Sequence, residues 1–169
     1  MDFQIGDKVV YPNQGVGIVE QISTRNLTGM PEMFYLLKLS SSSMRVMVPL
    51  SSVANVGLRR VTKTSEIGGV LEFLQKGRCK SAQDWKGRFK ENSEKMRNGA
   101  LMQVAEVLKT LMFLNQAKPL SFREKKMLDR AWGLLVDEVA VVRGLAKETV
   151  EAQLVKSLSK VNIKAPLPS

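Results

Sequence analysis

Gly6-Asp7-Lys8-Val9-Val10-Tyr11-Pro12-Asn13-Gln14-Gly15-Val16-Gly17-Ile18-Val19 is the stretch on which the fold turns. Lys8 to Tyr11 is a short β-prone run stopped by Pro12, and Asn13-Gln14-Gly15 supplies turn chemistry. Val16 to Ile22 reads as a second strand. Gly17 inside it predicts a bulge or a sharp bend, as the corners of small barrels require. Two more strands follow, Met33–Leu39 and Met44–Val48, joined by the serines Ser40 to Ser43. Pro49 closes the last run and places it at an edge, because proline has no ladder N–H to give. Four or five short strands in about sixty residues suit an SH3- or Tudor-like barrel better than a sandwich. An edge near Met47 and Pro49 is able to accept a strand from a partner. The plainer reading makes Met47 and Leu37 core residues.

Beyond Lys63 the pattern changes to helix. Ile67, Val70, Leu71 and Leu74 recur at helical spacing over Glu66–Lys76, with Ser65 as the cap and Gly77 as the stop. Ser81 and Asp84 predict the start of a helix over Ala82–Arg97, with Gly99 beyond its end. Ala100–Gln116 is apolar on more than one face (Leu101, Met102, Val104, Leu108, Leu111, Met112, Phe113), which marks a central, buried helix. Ser121-Phe122-Arg123-Glu124 is a full capping box opening a long helix to about Arg143, with Gly144 as its end. A last helix covers about Lys147–Leu158. The expectation is an α+β protein: a small β-barrel over 1–62, a compact unit of about five helices over 63–160, and a loose tail over 161–169.

Composition sets the class of partner. Of 169 residues 44% are apolar, enough for real cores, and the net charge is +10. A pI near 9.9 favours a polyanion. Residues 1–62 carry six Lys and Arg against four Asp and Glu, whereas residues 63–169 carry twenty against twelve. The surplus therefore sits in the helical half. Met1-Asp2-Phe3-Gln4 lacks the basic and apolar regions of a leader. No apolar run approaches the roughly 18 residues of a membrane span. A cytoplasmic, monomeric protein without membrane contact is expected. Cys79 has no second cysteine to pair with. Histidine is absent altogether, which removes His-based nucleophile systems and the usual His-bearing zinc sites. Neither phosphate-loop nor dinucleotide fingerprints occur. Catalysis, a metal and a cofactor are not expected.

The sharpest candidate site lies around Trp85. Lys76–Arg97 holds eight Lys and Arg against three Asp and Glu, and within it runs Trp85-Lys86-Gly87-Arg88-Phe89-Lys90. At 100° per residue Trp85, Phe89 and Met96 share a face, with Lys86 and Arg88 flanking the indole. An aromatic so flanked can stack on or wedge between bases while the cations hold phosphates. Equally, an aromatic on a helix face can be core and its charged neighbours a solvated rim. Gly87 costs about 1 kcal/mol against Ala in a helix and marks a candidate close approach. Arg123, Lys125 and Lys126 form a second basic cluster, at a helix start where cations are slightly unfavourable unless a phosphate lies near.

The ordered set of motifs resembles the CarD/CdnL family of bacterial RNA polymerase-binding transcription regulators. It comprises Phe3-x-x-Gly6-Asp7-x-Val9-Val10-Tyr11-Pro12 with Gly15 and Val19, then Val48-Pro49 and Gly57-x-Arg59. Trp85 with Arg88-Phe89-Lys90 and Val104-Ala105-Glu106-Val107 follow. Leu120-Ser121, Glu124-Lys125-x-Met127-Leu128 and Leu135 with Glu138 complete it. The resemblance implies a Tudor-like domain that docks on the polymerase β subunit, and a helical domain that contacts promoter DNA. It implies that Trp85 wedges into the minor groove at the upstream edge of the melted bubble and stabilises the open complex. By position, the implied DNA contacts are Trp85, Lys86, Arg88, Lys90, Arg123 and Lys125. The implied polymerase contacts are Arg25, Leu37, Met47 and Pro49. Position 47 is basic in some relatives, and here it is Met. Two other readings stand beside this one: an independent architectural DNA-binding protein, and a protein-interaction module whose basic face serves solubility. A methyl-lysine reader is disfavoured, because Tyr11, Phe34 and Tyr35 are the barrel's only aromatics after Phe3.

Overall fold

The computed structural model describes residues 2–26, 28–76 and 85–160, and of Trp85 the backbone alone. The chain divides into two compact units between Val61 and Thr62. The first is an antiparallel sheet of five strands, β1 (Lys8–Tyr11), β2 (Gly15–Asn26), β3 (Pro31–Leu39), β4 (Arg45–Pro49) and β5 (Arg59–Arg60), in the order β4-β3-β2-β1-β5. A 3-10 turn, Leu50–Ser52, and the short helix α1 (Val53–Val56) lie between β4 and β5. Alternation along the strands sends Val9, Val19, Tyr35, Leu37 and Val48 into one core, joined by Phe3, Val53 and Leu58. Phe3 is fixed there by its own N–H, which donates to the Tyr35 hydroxyl at 3.0 Å, and by an edge-on contact between the two rings.

Gly17 is not the bulge. It pairs in register with Val9 and Leu39, and the ladder slips three residues later, between Val19 and Gln21. Glu20 is the extra residue, and its carboxylate reaches Arg45 on β4 at 2.9 Å. Gly17 is needed for room instead: a Cβ there would meet the Lys38 carbonyl oxygen at 3.1 Å and a Leu39 methyl at 3.3 Å.

Among the described residues the second unit holds five helices: α2 (Thr64–Lys76), α3 (Trp85–Asn98), α4 (Leu101–Ala117), α5 (Phe122–Arg143) and α6 (Lys147–Ser159). Sheet in one unit and helices in the other make this an α+β protein. α4 is the buried helix that its apolar faces predict, with Leu101, Val104, Leu108, Leu111 and Met112 inside. Met102 and Phe113, at 36% and 39% exposure, are its lips. α2 starts earlier than the cap rule predicts: Thr64 already lies in the helix, so Ser65 belongs to its first turn. The stop at Gly77, the cap at Ser81, the thiol of Cys79 and the tail over 161–169 fall outside the described residues.

α3 is the polar member of the unit. Among its described side chains the only hydrophobic one in the core is Met96, and the position one turn earlier on that side is Asn92, 3% exposed. Burying one such apolar side chain is worth about 1.5–3 kcal/mol, little for a helix of 14 residues. Two ion pairs also attach it: Lys95 to Glu106 on α4 at 3.0 Å, and Arg88 to Glu124 on α5 at 2.9 Å.

Candidate nucleic-acid interface

The start of α5 is built as its four opening residues dictate. Ser121 is the N-cap, extended at φ −63° and ψ 162°, and its hydroxyl oxygen accepts the Glu124 N–H at 3.2 Å. In a full capping box the Glu carboxylate would turn back to the Ser main chain. Here it keeps an interaction with the Ser121 main chain and also turns to α3. Arg88 donates from Nε to Glu124 Oε2 at 2.9 Å and from Nη2 to Oε1 at 3.2 Å, a two-pronged pair. The Ser121 hydroxyl also donates to Oε1 at 3.2 Å. Glu124 is 3% exposed and Arg88 14%. Hydrogen bonding from Arg88 holds the Glu124 carboxyl below its ordinary range; burial opposes that, and the Arg88 charge and Ser121 reinforce it.

A second contact joins the same two helix ends. The Arg123 guanidinium lies 5.4 Å from the centre of the Phe89 ring. The first turn of α3 and the first turn of α5 are thus clamped side by side. Lys86 and Lys90 are exposed on one, and Arg123, Lys125 and Lys126 are exposed on the other. The two basic clusters, 33 or more residues apart in sequence, are thereby carried on neighbouring helix starts.

The residues singled out from sequence divide accordingly. Lys86 and Lys90 on α3 and Arg123 and Lys125 on α5 are exposed cations. Arg88 is in the same place but points its guanidinium at Glu124. Trp85 is the first residue of α3, and its side chain lies outside the described residues. Sequence reading passed over Phe122, which is 71% exposed with the Lys126 ammonium 4.6 Å from its ring centre. The spacing of four between Phe122 and Lys126 was visible in the chain, since such pairs meet on a helix surface.

In the sheet unit, Arg25 is exposed on β2, opposite Glu32 of β3. Pro49 lies opposite Phe34 and Met47 opposite Leu36, both on β4 at the end of the strand order and both half-buried. These three occupy one end of the sheet, within two strands and a few residues of each other. Leu37 does not join them. It is fully buried, and β3 is already paired on both sides. Its side chain serves the core and has no surface to offer.

Comparison with known proteins follows the same division. Residues 3–62 match the CarD-like/TRCF RID domain, and residues 69–155 match the CarD C-terminal domain. The "Putative transcription factor YdeB" of Bacillus subtilis is 34% identical over 150 residues, which cover 89% of this chain and 98% of that protein. The chain belongs to the CarD/CdnL family. It is a member of a family of CarD-like transcription factors. Two solved structures from Myxococcus xanthus are also similar. One is the 72-residue N-terminal domain of CarD, determined by solution NMR. It is 36% identical over 35% of this chain and 79% of that one, with a TM-score of 0.31. The other, CdnLNt, is 43% identical over 36% and 84%, with a TM-score of 0.31. Among the described residues no helix is long and apolar enough to cross a membrane, and no group of three or more acidic or cysteine side chains is placed to hold a metal ion.

Proposed function

We propose that this CarD-family chain is a cytoplasmic, monomeric regulator of transcription initiation. Its sheet unit docks on the RNA polymerase β subunit, and its helical unit holds promoter DNA at the upstream edge of the melted region. The match of residues 3–62 to the CarD-like/TRCF RID domain supports polymerase as the partner. Arg25, Met47 and Pro49 are the proposed contacts, with the β4 edge offering main-chain hydrogen bonds to an added strand. The observation that carries the DNA reading is the clamp between α3 and α5. It brings the start of α3, with Trp85 as first residue and Lys86 and Lys90 exposed, next to the start of α5, with Arg123 and Lys125 exposed.

In this mechanism the cations bind the sugar-phosphate backbone, and Trp85 wedges into the minor groove. Opening a base step costs a few kcal/mol in intact duplex. At a bubble edge the step is already broken, so the wedge favours the open complex. It shifts the closed-open equilibrium only by its difference in affinity for the two states. The factor's own hold on DNA is weak and salt-dependent. Docking on polymerase supplies the local concentration. Arg88 acts here through Glu124, as the residue that positions the α3 turn.

Promoter melting by polymerase holoenzyme, followed through a fluorescent base in the bubble, tests the proposal. The wild type is expected to raise the open fraction, and a Trp85→Ala variant with unchanged circular dichroism is expected not to. Equal action of both would remove Trp85 from the mechanism. Inaction of both, with no binding to the β subunit, would sink the proposal.

A further inference from the structure

Phe122 is the most exposed large apolar residue among the described residues of the helical unit, at 71%. Neither packing nor helix propensity accounts for it: the ring buries little, and Phe is an ordinary helix former at best. Its surroundings are cationic. Lys126 places its ammonium 4.6 Å from the ring centre. Arg123 and Lys125 are exposed neighbours in the same turn, and the one acid of that turn, Glu124, is buried beneath Arg88. The next acid along α5 is Asp129, seven residues and about 10 Å further on.

A ligand suited to this place must offer a flat face to the ring and negative charge to the lysines. Nucleic acid does both, but in a duplex each base face is covered by its neighbours. Only an unpaired base has a face to give. We infer that Phe122 is a stacking platform for an unpaired DNA base, with Lys125 and Lys126 on the phosphates beside it. The inference rests on the DNA reading above and deepens it: the start of α5 selects separated strands through a second aromatic, independent of Trp85.

The test is fluorescence anisotropy of the full chain, at low salt, on a duplex with a central mismatched bubble and on its fully paired counterpart. Phe122→Ala is expected to weaken bubble binding about five- to tenfold, the lower end for one lost base stack, and to leave the paired duplex and the thermal melt nearly unchanged. Phe122→Trp is expected to bind the bubble as the wild type does, and Phe122→Leu to behave as Phe122→Ala. Unchanged bubble binding by Phe122→Ala overturns the inference. So does an equal loss on both DNAs, or full binding by Phe122→Leu, which points to a ringless apolar contact. In those three outcomes the DNA reading survives. If the wild type binds neither DNA, or Lys125→Glu binds both as the wild type does, the DNA reading and the stacking inference fall together.

Discussion

Arg88 and Glu124 share two hydrogen bonds, and removing either partner leaves the other's charge poorly solvated. For a buried pair that costs about 3–5 kcal/mol; Arg88 keeps some access to water, so about 3 kcal/mol is the expectation for Glu124→Gln. The pH dependence has a definite sign. Glu124 titrates lower when folded than the value of about 4.3 it has unfolded. Its contribution is therefore complete above the unfolded value and is lost as pH falls through the folded one. Urea titrations followed by circular dichroism should show the wild type well ahead of Glu124→Gln at neutral pH and the gap narrowing below about pH 4. Arg88 shows what sequence can and cannot convey. Its place beside Trp85 in a basic turn was legible. Its partner was not, because 36 residues separate them and only the packing of both helices against α4 brings them together. Glu124 looked fully occupied by a local capping box.

Helix ends set by near neighbours were readable, and those set by distant ones were not. Ser121 and Gly144 frame α5 as their local chemistry requires, with Gly144 left-handed at φ 64°. The bulge at Glu20 depends on the register against β3, which no pattern within β2 reveals. Lys109 is the strongest case of a distant device. It sits in the middle of the apolar α4 and is fully buried. Its ammonium donates to the Phe73 carbonyl at 2.6 Å, in the last turn of α2, and lies 4.9 Å from the Phe73 ring centre. The final carbonyls of a helix lack intrahelical donors and carry the negative end of its dipole. Lys109 answers both needs from another helix. Lys109→Met keeps the stem and removes the donor, so thermal unfolding should report a loss of about 1–3 kcal/mol for the lost buried hydrogen bond. Lys109→Arg, a longer and forked cation in a filled space, should not restore the wild-type stability.

At the scale of the whole chain, the division of charge was visible from the outset: the helical half holds most of the net +10. The family was legible too, because its motifs run through both units. The placing of the two basic clusters on neighbouring helix starts needed the fold. If the exposed cations of α3 and α5 hold phosphates, DNA affinity should fall with salt at a logarithmic slope of about −0.9 per phosphate held. Lys125→Glu should make that slope shallower by about one, measured by anisotropy across a salt series. Arg25→Glu should leave the slope as it is while lowering capture by polymerase. The order of the strands carries a further implication, for stoichiometry. β4 offers five residues at one end of the sheet, while β5 offers two at the other. A sheet grows by successive copies only when each newcomer presents a fresh edge of useful length. A strand accepted at β4 meets only the two residues of β5 on the far side, so the expected recruitment there is one guest per host.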